Sequence, residues 1–369
     1  MTEIEQSAGE SAGMRIAIIG RHGSSNSLQI SKSIYTLANV LQSHGHEVYS
    51  DENTVSNLIG HKKLLSRDPL KLIGNRNVKS LEVLSQCVDI AVVLGGDGTM
   101  LDVARKFSPS DRRLPLIGVN HGRLGFITDI ASDVAVEEVV KLIGPHLARF
   151  VMGSATPEEL KQNGIEEKIL LQADVVGGPS KGIALNEVIV IRDGGSFLEF
   201  SVMIDGVYAY SARADGVMIA TPTGSTAYSL AAGGSILSPN SGVVQILPMM
   251  PQTLSYRPLI ISDECKIDII LAPDPAKRAK VICDGNEYYL NNREKQITIY
   301  KARQRATFLH PASYDYFHVL REKLYWHLQP GTRPYSASGQ LPSTTLADGE
   351  VDETSSQDQG DPTEMILRD

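Results

Sequence analysis

The chain has 369 residues, of which 42% are hydrophobic and 21% charged, and its formal net charge is −8. That length suggests about two domains and a core large enough to need no covalent staples. The charge gives no reason to expect nucleic acid or an anionic membrane as a partner, and no apolar run approaches the ~18 residues of a spanning helix.

The first thirteen residues, MTEIEQSAGESAG, are polar and acidic and read as a tail rather than a signal peptide. RIAIIG (15–20) is a near-continuous apolar run, as in a strand covered on both faces. A helix is expected over about 27–43, with Leu28, Ile34, Leu37, Ala38 and Leu41 on one face. HEVYSD, DIAVVL and LPLIGVN read as further strands, and 100–107 as a helix. Strands alternating with helices over 14–148 predict a doubly wound α/β domain with a mostly parallel sheet. Residues 51–80 are polar and interrupted, and a mobile excursion is expected there, its basic residues a solvated face.

After about residue 148 strand follows strand: KILLQADVV, NEVIVIR, LEFSVMID, VYAYSA, GVMIAT, KIDIIL, KVICDG and QITIYK. Several alternate apolar and polar residues, and Asp205-Gly206 and Asp284-Gly285 are hairpin-turn dipeptides. A β-rich, sandwich-like domain is expected over 149–310, with one helix inserted near 226–232. A closing helix over 311–328 joins the first domain. Residues 329–369 carry eight acids against Arg333 and Arg368 and few apolar groups, so they read as a disordered tail dispensable for catalysis. Cys87, Cys265 and Cys283 are far apart and fit reduced thiols in a cytoplasmic protein.

Three segments carry chemistry. GGDGT (95–99) lies where a parallel strand ends and a helix starts, the usual ligand position in open α/β sheets. Gly95, Gly96 and Gly98 would let backbone amides approach a phosphate through positive φ or simple lack of bulk, and Thr99 is placed to cap the helix. Asp97 among them is either a turn residue or an acid with a task, such as holding a metal–phosphate complex or orienting a hydroxyl; the pentapeptide alone leaves both open. The run RADGVMIATPTGSTAYSLAAGG (213–234) is dense in hydroxyls and glycines that can surround a polar, planar ligand, with Tyr228 able to stack on a base. Asn186-Glu187 would suit the vicinal hydroxyls of a ribose, although as a dipeptide it reads equally as a surface turn. GVNHGRLGFITDI (118–130) and LSYRPLII (254–261) are noted without a role. Neither a Walker A loop nor a G-x-G-x-x-G fingerprint is present.

Taken together, GGDGT, GVNHGRLGFITD, LNE, DGVMIATPTGSTAYSLAAGG and LSYRPL resemble the NAD kinase (ATP-NAD kinase) family in order and approximate spacing, over about residues 14–327. The resemblance implies phosphoryl transfer from ATP to the adenosine 2′-hydroxyl of NAD, with Mg²⁺ or another divalent cation arriving with ATP and no dedicated metal site in the protein. It implies Asp97 as proton acceptor with Gly98 beside it, Asn186 and Glu187 as dinucleotide contacts, Arg213 and Asp215 flanking the site, and Thr226, Ala227, Tyr228, Ser229, Leu230 and Ala231 as the loop around NAD. Asn286 is a further implied NAD contact. A homodimer or homotetramer, with NAD near a subunit interface, is implied as well. Gln252, His121 and Arg123 depart from residues common in the family. A lipid kinase sharing the GGDG loop and a non-catalytic dinucleotide sensor are the competing readings; the hydroxyl-rich loop argues against the first, and a sensor would not need Asp97.

Overall fold

The computed structural model describes residues 13–325 except 22–26, 66–67, 110–111, 123–124, 145–146, 148–149, 151–152, 154–155, 157–158, 160–161, 179–180, 274–277, 292 and 294. Both expected tails, the end of the expected closing helix and Arg123 therefore lie outside the described residues, Gly13 excepted.

The N-terminal half alternates β1 (Arg15–Gly20), α1 (Ser27–Ser43), β2 (Glu47–Asp51), α2 (Glu52–Gly60), α3 (Pro69–Ile73), β3 (Val78–Lys79), α4 (Leu81–Cys87), β4 (Ile90–Gly95), α5 (Asp97–Phe107), β5 (Pro115–Asn120), β6 (Ile130–Ala131) and α6 (Ala135–Leu142). Strands β5, β4, β1, β2 and β3 lie side by side in that order, all parallel. Alternation along each strand sends side chains to opposite faces. Ile16, Ile18, Ile90, Val92 and Leu94 meet Ile34, Leu37 and Leu41 of α1. Ala17, Ile19, Ala91 and Val93 meet Leu84 of α4 and Met100 and Val103 of α5. The sheet is thus covered on both faces, which is why its strands read as continuous apolar runs.

The stretch 51–80 corrects the expected mobile excursion. Asp51 caps α2 by accepting from the amides of Asn53 and Thr54, and Asp68 caps α3 by accepting from Leu70 N with Pro69 in the first turn. Val55, Leu58, Leu72 and Ile73 are buried against α1 and the sheet. Short, well-capped helices with few apolar anchors look polar in sequence.

The rest of the chain adds β7 (Ile165–Val175), β8 (Lys181–Ala184), β9 (Glu187–Arg192), β10 (Leu198–Ile204), β11 (Val207–Ala214), β12 (Gly216–Ala220), α7 (Tyr228–Ala231), β13 (Val243–Met249), β14 (Leu259–Ser262), β15 (Ile267–Leu271), β16 (Ala279–Cys283), β17 (Asn286–Tyr289), β18 (Gln296–Leu309) and α8 (Tyr316–Leu324). One antiparallel sheet runs β14-β13-β12-β9-β16-β17. Its Val190, Val217, Val244 and Val281 pack against Val202, Ile269 and Ile299 of β10, β15 and β18, closing the expected sandwich. Asp205 and Gly206, and likewise Asp284 and Gly285, all have positive φ, as a two-residue hairpin turn requires.

QITIYK proves to be only the start of β18, which is 14 residues long in all. The strand pairs antiparallel with β15 and β7 and then, at Thr307 and Phe308, parallel with β5. One sheet therefore runs from the sandwich into the parallel strands, in the order β11-β10-β15-β18-β5-β4-β1-β2-β3.

Candidate active site

Strand β4 ends at Gly95 and α5 starts two residues later, so the first-turn amides of α5 face the carboxyl edge of the parallel sheet. Gly95, Gly96 and Gly98 do not adopt positive φ; what they contribute is room. A Cβ on Gly96 or Gly98 would enter open space. Thr99 does not cap the helix as expected: the N-cap is Gly96, with no side-chain cap, because the helix begins at Asp97 and places Thr99 inside its first turn.

The Asp97 carboxylate is held by the glycine-punctuated loop after β5. Its Oδ2 accepts from Phe126 N at 2.9 Å, and its Oδ1 accepts from Ile127 N at 3.3 Å and Thr128 Oγ1 at 2.8 Å. Asn120 Nδ2 donates to Thr128 Oγ1 at 2.9 Å, which sets that hydroxyl to donate onward. Gly125 passes so close that a Cβ there would overlap Asp97 Oδ1 and Thr128 Oγ1. Nothing local in GVNHGRLGFITDI marks this role, because the residue it serves lies about thirty positions upstream.

The second region brings Asn186 and Glu187 to the same place. Asp284, read from sequence only as a turn residue, accepts from the amides of Leu185 (2.7 Å), Asn186 (2.9 Å) and Glu187 (3.1 Å) and so shapes their turn. Arg105, near the end of α5, donates to the carbonyls of Cys283 (3.0 Å) and Asp284 (2.9 Å). From the other side Thr221 N donates to Asn186 O at 2.9 Å and Thr221 Oγ1 to Leu185 O at 2.5 Å. Gly224 lies so near the Asn186 carbonyl that a Cβ would overlap it.

Three hydroxyls of the 221–229 run are committed internally. Thr221, Ser225 and Ser229 are fully buried. Ser225 Oγ donates to Pro222 O and accepts from Leu237 N, while Ser229 Oγ accepts from Gln245 Nε2 at 2.7 Å. They hold the loop; Thr223, Thr226, Ala227 and Tyr228 face outward.

Burial, reinforced by the charge of Asp284, pushes the Glu187 carboxyl up to about 7. Burial likewise raises Asp284, against the pull of its three backbone amides and Arg105. A carboxyl raised on folding contributes stability that is full below its unfolded value and is lost as pH rises through about 7. Glu187→Gln is therefore expected to stabilise the protein at pH 8 by up to about 3 kcal/mol and to change little near pH 5. Thermal melts of both proteins across that range check the sign; an equal change at both ends would remove Glu187 as the cause.

Two pockets meet at Asp97. One, of about 510 Å³, is lined by Arg21, Gly96, Asp97, Gly98, Thr99 and Asp102 among others. The other, of about 110 Å³, is lined by Asp97, Phe126, Ile127, Asn186, Thr223, Thr226 and Ala227. The remaining expected contacts lie apart from these pockets. Asp215, Tyr228 and Ala231 line a separate pocket with Tyr256 and Arg257, and Asp215 ion-pairs with Arg192 at 2.7 Å. Arg213 on β11 pairs across the ladder with Glu199 on β10 at 3.1 Å. Leu230 is half-buried. Asn286, with its amide turned to satisfy its neighbours, accepts from Arg105 and so buttresses the Asp284 turn.

The chain matches the ATP-NAD kinase N-terminal domain over residues 16–146 and the ATP-NAD kinase C-terminal domain over residues 185–311. It is 34% identical over 319 residues to an NAD kinase of Aromatoleum aromaticum, covering 85% of this chain and 95% of the relative. It is 35% identical over 302 residues to one of Laribacter hongkongensis, covering 81% and 92%. In fold it resembles yeast NADH kinase complexed with NADH (TM-score 0.69, 22% identity, 86% of this chain and 89% of that one). It also resembles an NAD kinase from Archaeoglobus fulgidus in complex with ATP (TM-score 0.60, 23% identity, 85% and 99%). With a shared domain pair, relatives matched over nearly their whole length and the same fold, the chain belongs to the NAD kinase family.

Proposed function

We infer that this protein is an NAD kinase: it transfers the γ-phosphoryl group of ATP to the 2′-hydroxyl of the adenosine ribose of NAD, yielding ADP and NADP. The observation that carries the reading is the single carboxylate, Asp97, that lines both pockets. The glycine-edged pocket at the start of α5 suits phosphates, and the pocket edged by Asn186, Thr223 and Thr226 suits a ribose. An ionised carboxylate offers about four acceptor positions. Three of those on Asp97 are filled by protein donors, leaving one for a hydroxyl. In a loose transition state proton removal comes late, so orientation contributes as much as basicity, and the fixed Asp97 carboxylate supplies both.

Among the described residues no three acids, histidines or cysteines cluster closely enough to cage a metal. Asp102, which lines the phosphate-side pocket, is paired with Arg105 at 3.2 Å and Lys106 at 3.4 Å, so a divalent cation carried in by the triphosphate would be held mainly by the phosphate oxygens. Such an ion supplies charge neutralisation when bound. The competing lipid-kinase and sensor readings find no support in the relatives. The basic test is incubation with NAD, ATP and Mg²⁺ followed by assay with an NADP-specific dehydrogenase; absence of NADP would overturn the reading.

The Asn186 side chain makes no hydrogen bond among the described residues and lines the ribose-side pocket. Asn186→Ala is expected to weaken NAD binding by about 0.5–1.5 kcal/mol and to leave ATP binding nearly unchanged. Titration calorimetry with each nucleotide distinguishes this from a general defect, which would weaken both.

The protein is further read as a cytoplasmic homo-oligomer. Its cysteines are unpaired, and among the described residues no helix is long and apolar enough to cross a membrane. Val207 and Tyr208 on β11, with Met250 and Leu254, are exposed large hydrophobic side chains suited to a second copy. Assembly would also reconcile the separation of Asp215, Tyr228 and Ala231 from Asp97 within one chain. Light scattering on the purified protein tests it, and a monomer at working concentration refutes it.

A further inference from the structure

A buried charged cluster lies behind the loop that holds Asp97. Asp129 directly follows Thr128, and both Asp129 and His310 are almost wholly buried, with side chains 3% and 4% exposed. His310 leaves the end of β18, and its Nδ1 is 2.9 Å from Asp129 Oδ2. Its Nε2 is 3.2 Å from Glu166 Oε2 on β7, within ion-pair distance but not aligned as a hydrogen bond, and that oxygen accepts from Lys168 Nζ at 2.7 Å. The Tyr314 ring stacks on the imidazole, with centroids 4.1 Å apart and planes 11° from parallel. His310 N donates to the carbonyl of Gly164. A Cβ on Gly164 would overlap the His310 carbonyl, so glycine is what lets these strands approach. Two residues beyond Tyr314, the ring of Tyr316 lies 6.4 Å from that of Phe126, whose amide donates to Asp97. The segment 310–316 thus backs the catalytic loop at Phe126 and at Asp129.

We propose that His310 is a positioning residue for Asp97: by bridging Asp129 and Glu166 it locks the loop 125–129, whose donors fix the Asp97 carboxylate. The inference rests on the reading of Asp97 given above. The bridge needs a proton on each ring nitrogen, because a carboxylate faces each one. The groups facing the ring are Asp129 from the loop, Glu166 and Lys168 from β7, and Tyr314 from the segment entering α8. Burial and the charge of Lys168 oppose the imidazolium, but the hydrogen bond to Asp129, the close contact with Glu166 and the charge of Asp129 outweigh them and raise its pKa above the usual histidine value. His310 and Lys168 together hold the Glu166 carboxyl down at about 2 despite its burial. When His310 loses its proton, Nε2 presents a lone pair to the Glu166 carboxylate, and the tie to β7 fails. Activity is therefore full below the raised His310 pKa and falls as pH rises through it.

The test is steady-state kinetics of the full-length protein from about pH 6 to 10, with both substrates varied. His310→Gln keeps a donor for Asp129 but cannot bridge as a cation. It is expected to lose about 10²-fold in kcat, with KM for ATP and NAD held, and to lose the alkaline fall in kcat. Asp129→Asn is nearly isosteric and removes the charge that supports the imidazolium; it should keep measurable kcat at low pH and move the alkaline fall to lower pH. Circular dichroism confirms folding, and if His310→Gln does not fold, the pH profile of Asp129→Asn decides. A folded His310→Gln with near-normal kcat, a change confined to KM, or an unmoved alkaline limb in Asp129→Asn would overturn the proposal. Asp97→Asn is run alongside: its near-normal kcat would sink the reading of Asp97 itself, whereas its collapse beside a normal His310→Gln would sink only the positioning role.

Discussion

Asp97→Asn is expected to lower kcat by about 10²-fold or more while NAD affinity is held or improved. Asparagine keeps the shape of the side chain, and its remaining oxygen can still accept from Ile127 N and Thr128 Oγ1 or from Phe126 N. The loop should therefore stay folded at the cost of about one hydrogen bond, or 0.5–1.5 kcal/mol of stability. The substitution also removes a negative charge from a pocket read as phosphate-binding, which by itself favours nucleotide binding. Affinity and turnover are thus pushed in different directions, and calorimetry beside steady-state kinetics separates them. A variant with near-normal kcat would reduce Asp97 to a turn residue.

Gly125→Ala is expected to be nearly as damaging to turnover, about 10²-fold, although residue 125 offers no side chain for chemistry. The new methyl group would overlap both Asp97 Oδ1 and Thr128 Oγ1. Either the carboxylate turns aside or the loop retreats and withdraws the Phe126 and Ile127 amides. In both cases the position offered to the attacking hydroxyl is lost. Because the two substitutions act through one carboxylate, Gly125→Ala combined with Asp97→Asn should be little worse than either alone. Multiplying losses in the double variant would show that Gly125 acts on something other than Asp97.

How far the sequence carried can be judged at particular residues. The alternation of strand and helix up to β5 and the hairpin dipeptides Asp205-Gly206 and Asp284-Gly285 were legible because their signals are local: period, apolar content and turn chemistry. Asp97 and Asn186 were legible as candidates through their motifs. The donors that hold them were not. Asp97 is gripped from residues 126–128 and the 185–187 turn from Asp284, nearly a hundred residues away, and no local pattern announces such a partner. The internal bonding of the Ser225 and Ser229 hydroxyls was hidden for the same reason: composition cannot tell a hydroxyl turned toward a ligand from one bonded to Pro222 or Gln245. The second half of β18 was missed because its Arg303 and Arg305 interrupt the apolar alternation of QITIYK, although the strand continues past them to Thr307 and Phe308.

That long strand bears on how substrates enter. A kinase built from two bodies on a hinge can open by rotating one against the other. Here β18 is hydrogen-bonded to β15 and β7 within the sandwich and to β5 within the parallel sheet. Rotation about that junction would have to break ladder bonds of a shared sheet. Arg105 adds a second strut, tying the far end of the helix that starts with Asp97 to the Asp284 turn. The separation between Asp97 and the 185–187 turn is therefore built into the scaffold rather than set by a movement of one half against the other. The segments 125–128 and 223–227, which border the pocket at Asp97 outside every strand, are held as well, the first by Asp97 and the second by Thr221 and Pro222, so the pocket is ready-shaped before anything enters it.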